Sequence, residues 1–276
     1  MPHLFCFGLG FSAQALARRL RPQGWTVTGT SRAGDHGSLA FDGTRPLAPS
    51  AFTGITHLLI SVPPGETGDR VLACHRDDLV RLAASVRWAG YLSTTGVYGD
   101  RGGDWVDESS PLAPTTARGE RRLAAETAWR AVGLPLHIFR LAGIYGPGRN
   151  QLISLLDGTA KRIVKAGQVF SRVHVDDIAG ILAASIDRPE PGQAYNVCDD
   201  EPSPPQDVVA FAARLLGIPA PPEIPFDEAD LSPMAKSFYA DSKRVSNRRI
   251  KEDLGYRLIH PTYREGLTAL LATLAR

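Results

Sequence analysis

The chain has 276 residues, of which 43% are hydrophobic and 22% are charged, and its formal net charge is +2. This composition is typical of a globular protein that buries a substantial core. The small net charge, without a long basic run, argues against nucleic acid or an anionic membrane as a partner. The sequence shows neither a secretion signal nor ~18 uninterrupted apolar residues, so we expect a cytoplasmic protein with a small-molecule partner.

The first predicted elements are a buried strand, a helix and a second strand. Leu4–Phe7 is a continuous apolar run, the pattern of a parallel strand covered on both faces. Ser12 is predicted to cap a helix that ends near Leu20, because Pro22 disfavours helical backbone in the residue before it. Trp25–Thr28 then forms the return strand, which completes a βαβ unit.

The turn between the first strand and the helix has the pattern Gly-x-Gly-x-x-Ala. In that position the pattern indicates a dinucleotide site. Gly8 permits the tight turn, and Gly10 lets the backbone approach a pyrophosphate without a Cβ clash. The pyrophosphate then binds free amides at the start of the helix. We therefore predict that Gly8, Gly10, Phe11 and Ser12 contact the cofactor.

The end of the second strand decides between NAD and NADP. An acid there accepts hydrogen bonds from the ribose 2′-hydroxyl of NAD and repels the 2′-phosphate of NADP. This sequence has Thr30, Ser31 and Arg32 instead, two hydroxyl donors and a guanidinium that can bind a phosphate through two nitrogens. We predict a preference for NADP(H) over NAD(H). The alternative is that Arg32 is a solvated charge and Asp35 binds the ribose.

Strands and helices continue to alternate up to residue 147. Further strands are predicted at 38–41, 55–62, 88–92 and 136–139, and helices at 69–86 and 116–132. Asp42 follows the third strand, where an adenine can be recognised, and Ser61 lies at the end of the fourth. Both residues are predicted to contact the cofactor. The alternation predicts an α/β fold, a Rossmann-type doubly wound parallel sheet.

The alternation breaks down from about residue 148. Helices are predicted at 150–161, 176–187, 205–216 and 263–274, with one strand near 193–198. We interpret residues 1–147, together with that returning strand, as the dinucleotide-binding domain. Residues 148–276 are interpreted as a small, interleaved C-terminal cap domain for the substrate. It closes over the carboxyl edge of the sheet, where ligands bind in such folds.

Several segments resemble the extended short-chain dehydrogenase/reductases, namely the glycine turn and residues 93–99, 140–148, 172–177 and 195–197. More narrowly, the chain is similar to the NAD-dependent epimerase/dehydratase group. The resemblance implies an oxidoreductase or isomerase: a reductase, epimerase or dehydratase acting on a sugar or a nucleotide-sugar-like substrate. A homodimer built by the helices at 69–86 and 116–132 is a further expectation. The three isolated cysteines show no metal-ligand spacing, and we predict no metal site.

In that family a Ser or Thr, a Tyr and a Lys carry out the chemistry. The Tyr exchanges a proton with the substrate oxygen, and the Lys lowers the pKa of the Tyr and holds the ribose. The resemblance assigns the first position to Thr94, whose alternative role is a capping hydroxyl at a strand end. The Tyr and Lys positions fall on Arg118 and Arg122. Both residues depart from the family pattern.

The departure changes the expected chemistry. A guanidinium holds its proton at neutral pH, so Arg118 cannot act as the acid or base of a carbonyl reduction. We assign Arg118 to substrate binding and Arg122 to the cofactor ribose; the alternative for both is a solvated helix face. The proton is then carried by Tyr98 or Tyr145, phenols whose pKa neighbouring cations can lower. The alternative is that both tyrosines are packing residues.

Two further residues are predicted to contact the substrate. Family members that act on nucleotide sugars carry an arginine for the diphosphate just before the Val-Asp-Asp segment. Arg172 lies near that place, with Arg149 and Lys161–Arg162 as alternatives. His174 has a suitable side-chain pKa of ~6.5, although a lone histidine between two valines is more often structural.

The loss of the tyrosine leaves two other functions open. One is a dinucleotide-binding sensor or regulator that kept the fold without the chemistry. The other is an anion-binding protein that uses Arg118 and Arg122 on a carboxylate or phosphate. The fold cannot decide between them, because function resides in the site.

Overall fold

The computed structural model describes residues 1–35 and 37–274, so the last two residues of the predicted cap domain lie outside the described part. The first half contains β1 (His3–Phe7), α1 (Phe11–Leu20), β2 (Thr26–Ser31), β3 (Leu39–Ala40), β4 (His57–Ile60), α2 (Arg70–Leu82), β5 (Trp88–Thr94), β6 (Trp105–Val106), α3 (Ala117–Arg130), β7 (Leu136–Leu141) and β8 (Gly143–Tyr145). The second half contains α4 (Gln151–Leu156), β9 (Arg162–Val164), β10 (Arg172–His174), α5 (Val175–Asp187), β11 (Ala194–Val197), α6 (Pro205–Leu216), β12 (Glu223–Pro225), α7 (Pro233–Phe238), β13 (Arg244–Val245), α8 (Arg248–Glu252) and α9 (Tyr263–Leu274). None of the helices in these residues has both the length and the apolar character needed to cross a membrane.

Within the described residues, seven strands form a parallel sheet in the order β11-β7-β5-β4-β1-β2-β3. The inner strands β1 and β4 are almost wholly buried, because helices cover both faces of the sheet. The strand order reverses between β1 and β4, and ligands of such sheets bind in the crevice at that point. The predicted Rossmann-type doubly wound α/β fold is confirmed.

Alternate side chains of β1 enter two separate cores. Leu4 and Cys6 pack with α1 and α5 on one face of the sheet. Phe5 and Phe7 pack with α2 and α3 on the other. Burial raises the pKa of the Cys6 thiol to about 12, so this thiol stays protonated and packs as an apolar group.

The start of α1 differs from the prediction. Gly10, not Ser12, is the N-cap residue, and it offers no capping side chain. Ser12 lies inside the first turn and is 5% exposed. Because no side chain caps these first amides, the start of α1 is suited to bind an anion.

The second half of the chain contributes to two cores. α4, α6 and α9 surround a third core that contains Leu152, Val208 and Tyr263. α5 instead packs on α1 against the main sheet, although it belongs to the half predicted as the cap. β11, the predicted returning strand, pairs with β7 at the sheet edge. The division into two domains stays a prediction.

Six short strands are additional to the predicted elements. They pair as β6 with β13, β8 with β10 and β9 with β12, in each case with a partner distant in sequence. Such two- or three-residue strands have no detectable periodicity of their own. The β6–β13 pair matters most for the site, because it anchors the segment that contains Lys243.

Candidate functional site

The glycine turn after β1 is fixed by contacts to its neighbours. Gly8 has a φ of +87°, and a Cβ there would lie 3.1 Å from Cγ2 of Val62, so glycine is required. The Gly8 amide donates to the Thr30 hydroxyl over 2.9 Å, and the Leu9 amide donates to the Thr30 carbonyl over 2.7 Å. A Cβ at Gly10 would meet nothing within 4 Å. The turn therefore borders open space at Gly10.

This turn forms one wall of a cleft of about 330 Å³, the cofactor cleft. The predicted cofactor residues that line it are Gly8, Gly10, Thr30, Ser31, Arg32, Asp42 and Ser61. Arg70, the first residue of α2, lines the cleft as well and was not predicted. The ring of Phe11 packs against the core near Gly146 instead.

The hydroxyls at the end of β2 have partners within the protein. The Ser31 hydroxyl donates to Asp35 and accepts from the Gly34 amide over 2.9 Å. Thr30 is 1% exposed, and its hydroxyl accepts from the glycine turn. The structure thus gives both hydroxyls a role in holding the loop, which differs from the predicted contact with a phosphate. Arg32 is exposed, and its side chain has no hydrogen bond or ion pair to another described residue.

Asp42 and Arg70 meet at the far end of the cofactor cleft. Asp42 accepts from the amide and the hydroxyl of Thr44 over 2.9 and 2.6 Å, and these hydrogen bonds lower its pKa. Arg70 donates to the Asp42 carbonyl over 3.5 Å. Its chain passes over Gly43, where a Cβ would lie 2.7 Å from Arg70 Cβ. The cleft lining therefore contains two guanidiniums, those of Arg32 and Arg70, and the carboxylate of Asp42.

A second cavity, the substrate cavity of about 560 Å³, adjoins the cofactor cleft at Ser61, which lines both. The predicted site residues that line it are Ser12, Ser61, Thr94, Arg118, Arg122 and Arg172. The Thr94 hydroxyl accepts from the Gly96 amide over 3.2 Å, the capping role left open by the sequence. Its O–H can still donate to a ligand, because accepting uses only a lone pair.

Arg118 and Arg122 extend from the first turns of α3 into the substrate cavity. Arg122 is 9% exposed and donates through Nη1 to the Tyr91 hydroxyl and the Leu92 carbonyl, over 3.1 and 2.8 Å. Arg118 is exposed to the cavity, and partial desolvation together with the charges of Arg122 and Arg149 lowers its pKa. The solvated-face alternative is therefore wrong for Arg122.

Tyr98 is fully buried and is absent from the described lining of the substrate cavity. Its hydroxyl donates to Asn196 Oδ1 over 2.8 Å and accepts from Arg140 Nη1 over 2.9 Å. Burial raises the pKa of Tyr98 to about 12 and outweighs the charge of Arg140. The predicted lowering of this phenol pKa is wrong, and the packing alternative fits.

The hydrogen bonds of Tyr98 continue into a buried ion pair. Arg140 Nη2 lies 2.9 Å from Glu126 Oε2, and the two side chains are 4% and 2% exposed. The Ser93 hydroxyl donates to Glu126 Oε1 over 2.5 Å. This buried network, Ser93–Glu126–Arg140–Tyr98–Asn196, joins β5, α3, β7 and β11, and its Ser93 precedes Thr94 in β5.

Tyr145 and His174 pack edge to face, with ring centres 5.2 Å apart, and neither belongs to the described lining of the substrate cavity. Burial raises the pKa of Tyr145 far above its usual range. The prediction that neighbouring cations lower the pKa of Tyr145, so that it carries the proton, is therefore wrong as well. His174 is 2% exposed, and its Nδ1 accepts from the Asp176 amide over 3.2 Å at the start of α5. Burial and the nearby His260 lower its pKa to about 4. The prediction that His174 contacts the substrate is therefore wrong, and the alternative of a structural histidine fits.

The same region contains three side chains of metal-ligand type. His174, Asp176 and His260 bring ligand atoms within 4.8 Å of one another. The sequence had predicted no metal site. Because Nδ1 of His174 is already occupied by the Asp176 amide, the observed use of this histidine is to cap α5.

Residues 239–245 contain site residues that were not predicted from the sequence. Tyr239, Asp241 and Lys243 line the substrate cavity. Asp241 accepts from the Thr115 hydroxyl over 2.5 Å and from Lys243 Nζ over 3.2 Å. Lys243 is 8% exposed, and burial lowers its pKa. No local pattern marks these residues, because the distant pairing of β13 with β6 places them.

The substrate cavity is strongly basic. Its charged lining residues are Arg118, Arg122, Arg149, Lys161, Arg172 and Lys243 against Asp241. Arg172 is held by the carbonyls of Phe170 and Ser203, over 2.9 and 3.2 Å. Lys161 donates to the Asp230 carbonyl over 2.6 Å. A cavity with this charge balance attracts anionic ligands.

Residues 70–198 match the NAD dependent epimerase/dehydratase family. Protein YeeZ of Escherichia coli (strain K12) is 30% identical over 252 residues, and the alignment covers 78% of this chain and 84% of YeeZ. A 3-diazoavenalumate denitrifying reductase from Streptomyces sp is 30% identical over 177 residues, which cover 59% of this chain and 55% of the reductase. The range that matches the family thus includes most of the residues that line the substrate cavity, and Arg70 of the cofactor cleft.

A solved structure resembles the chain along its full length. It is that of a functionally unknown conserved protein from Silicibacter pomeroyi DSS, with 54% sequence identity and a TM-score of 0.93. The comparison covers 100% of both chains. The arrangement of cofactor cleft and substrate cavity therefore rests on a backbone that both proteins share.

Proposed function

The chain belongs to the NAD dependent epimerase/dehydratase family, and from this premise we propose that it catalyses hydride transfer between NADP(H) and a small molecule. The observation that carries the proposal is the junction of the two cavities. The cofactor cleft ends at Ser61, and the substrate cavity with Thr94 and Arg122 begins at the same residue. When bound, the nicotinamide donates or accepts the hydride. The arrangement supports a reductase, epimerase or dehydratase of a sugar or nucleotide-sugar-like substrate.

The described residues fit a dinucleotide. The turn at Gly8 and Gly10 borders open space, and the start of α1 has no capping side chain. These amides would hold the pyrophosphate. The preference for NADP(H) is supported by the exposed Arg32 and by Arg70, which line the same cleft. Asp35, the alternative ribose ligand, accepts a hydrogen bond from the Ser31 hydroxyl.

Replacing Arg32 with alanine is expected to weaken NADPH binding about 10- to 100-fold, the value of a charge-assisted contact to a phosphate. NADH binding should change less than about two-fold, because NADH lacks the phosphate that Arg32 contacts. Both dissociation constants can be measured by the fluorescence of the reduced nucleotide. Arg18→Ala, an exposed arginine on α1, is the matched control and should leave both affinities unchanged. Equal losses for NADPH and NADH would contradict the assignment.

The proton step needs a group other than Arg118, and we assign it to Lys243. Thr94 is positioned to donate a hydrogen bond to the substrate oxygen. Lys243 lines the same cavity, is held by Asp241, and has a pKa below its usual value because it is buried. A lysine with a lowered pKa gives up its proton more readily than an exposed lysine, and a guanidinium does not release its proton. Arg122 then binds the ribose with the N–H groups that Tyr91 and Leu92 leave free.

The activity can be found by screening NADPH oxidation against aldoses, keto-sugars and nucleotide sugars. With the substrate found, Lys243→Met is expected to lower turnover about 100-fold or more, the usual contribution of a positioned acid. Lys243→Arg should be equally inactive because its proton is not released, while NADPH affinity stays the same in both variants. The control is Lys251→Met, which removes only an exposed ion pair with Asp200. Undiminished turnover in Lys243→Arg would refute the assignment.

The remaining features of the proposal follow from the sequence. We place the protein in the cytoplasm, without nucleic acid or a membrane as a partner, in keeping with the net charge of +2. A homodimer formed by α2 and α3 is part of the same proposal and is tested by sedimentation. The second candidate function, a sensor, is favoured by Arg118 at the tyrosine position. NADPH binding without oxidation of any compound in the screen would support it.

A further inference from the structure

Two cations in the lining of the substrate cavity have no hydrogen-bond or ion-pair partner within the described part of the chain. Among the described residues, the side chains of Arg118 and Arg149 make no hydrogen bond and no ion pair. The other basic residues of the cavity are held: Arg122 by Tyr91 and Leu92, Lys161 by Asp230, Arg172 by Phe170 and Ser203, and Lys243 by Asp241. Arg118 and Arg149 are therefore free to bind a ligand.

These two guanidiniums line the same cavity. Partial desolvation and the charges of Arg122 and Arg149 lower the pKa of Arg118. Like charges brought together repel unless an anion lies between them. Asp241, the acid in the described cavity lining, is already occupied by Lys243 and Thr115. No acid in the described cavity lining is thus left to pair with Arg118 or Arg149, and an anionic ligand would supply the countercharge.

The surroundings of Arg118 favour a tight contact. Its guanidinium carbon lies 5.2 Å from the ring centre of Phe238 on α7. An aromatic face beside a guanidinium fixes its plane and excludes some water, which strengthens hydrogen bonds to its edge. A guanidinium presents parallel N–H donors that match the oxygens of a carboxylate or phosphate. The ligand chemistry that fits Arg118 is therefore an oxyanion.

We propose that Arg118 and Arg149 form the binding site for an anionic group of the substrate, a carboxylate or phosphate, so that the enzyme selects acidic over neutral substrates. The proposal rests on the proposed function, because it takes the cavity to be the place of the reaction. The site is distinct from the cofactor cleft, whose lining contains Arg32 and Arg70. The cofactor phosphates are assigned to the glycine turn and to that cleft, and neither contains Arg118 or Arg149.

The test is a titration of the whole chain with inorganic phosphate and with malonate, with and without saturating NADP⁺. Isothermal calorimetry at constant ionic strength, with chloride as the balancing salt, measures the affinity. We expect saturable binding of at least one of the two anions, retained when NADP⁺ is bound. Arg118→Met should weaken it about 10-fold or more, as should Arg149→Met, in line with the loss of a charge-assisted hydrogen bond.

Arg121→Met, one residue along α3 and absent from the described cavity lining, is the control and should bind the anions normally. Unchanged affinity in both Arg118→Met and Arg149→Met, or loss of anion binding when NADP⁺ saturates, overturns the proposal. If NADP⁺ fails to bind at all, the proposed function is wrong. In that case the effect of Arg118→Met on the affinity for the two anions still shows whether Arg118 forms part of an anion-binding site. Because both arginines are exposed, the variants should fold, and their melting temperatures in chloride verify this.

Discussion

Replacing Glu126 with glutamine is expected to lower the free energy of unfolding by about 3–5 kcal/mol, the usual cost of leaving a buried charge without its partner. Arg140 is 3% exposed and has Glu126 as its charged partner in the buried network. Glutamine has nearly the same shape, but it brings an amide group where both oxygens accept hydrogen bonds from Ser93 and Arg140. Urea denaturation of the two proteins measures the difference.

The matched control is an exposed ion pair of the same type. Arg162 and Glu223 lie 2.9 Å apart, with side chains 25% and 55% exposed. Glu223→Gln should cost less than about 1 kcal/mol, because the Glu223 side chain is more than half exposed and water solvates its carboxylate. The double variant Glu126→Gln with Arg140→Met should be more stable than the sum of the single changes predicts. A loss below about 1 kcal/mol for Glu126→Gln would show that the network does not stabilise the fold.

Gly99→Ala is expected to destabilise the protein by about 3–6 kcal/mol, because backbone strain and a direct clash add up. Gly99 has φ +72° and ψ −163°, a region that glycine alone occupies readily. A Cβ there would lie 1.9 Å from the carbonyl oxygen of Ala113. Either the turn after Thr94 or the loop at Ala113 must then move. Thermal unfolding measures the loss of stability.

Gly102→Ala separates the two effects. Gly102 also has a positive φ, +57°, but a Cβ there would meet nothing within 4 Å. Its cost should be about 1–2 kcal/mol, the backbone strain alone. Equal losses of stability in Gly99→Ala and Gly102→Ala would mean that the loop at Ala113 moves away from the new Cβ without destabilising the protein. Any Gly99→Ala protein that still folds should bind NADPH normally but should catalyse slowly. The turn at Gly99 follows Thr94 and is not part of the cofactor cleft.

The features that could be predicted from the sequence are those encoded by neighbouring residues. The apolar run at Leu4–Phe7 followed by Gly8 and Gly10 is a continuous local signal, and the structure forms the strand and turn there. The carboxyl-edge position of Thr94 follows from the strand before it. Even here the cap was misplaced, because Ser12 is a better capping residue than Gly10 by propensity alone.

The features that could not be predicted depend on tertiary contacts. Tyr98 comes shortly after Thr94 in the sequence, but burial raises its pKa. Its hydroxyl is hydrogen-bonded to Arg140 and Asn196, which lie far along the chain. Lys243 reaches the cavity through a two-residue strand pair. The charge on Arg70 gives no indication that this residue lines the same cleft as Arg32. Each of these placements needs knowledge of which distant segments meet.

The pairing of β11 with β7 also constrains how the protein is made. β7 is buried along its whole length, yet its neighbour on that side is synthesised more than fifty residues later. Until Ala194–Val197 leave the ribosome, the nascent chain presents an open, apolar strand edge of the kind that recruits other chains. A truncation after residue 147 keeps the glycine turn but retains that unprotected edge. Nascent chains of this protein should therefore depend on chaperones until the late strand arrives.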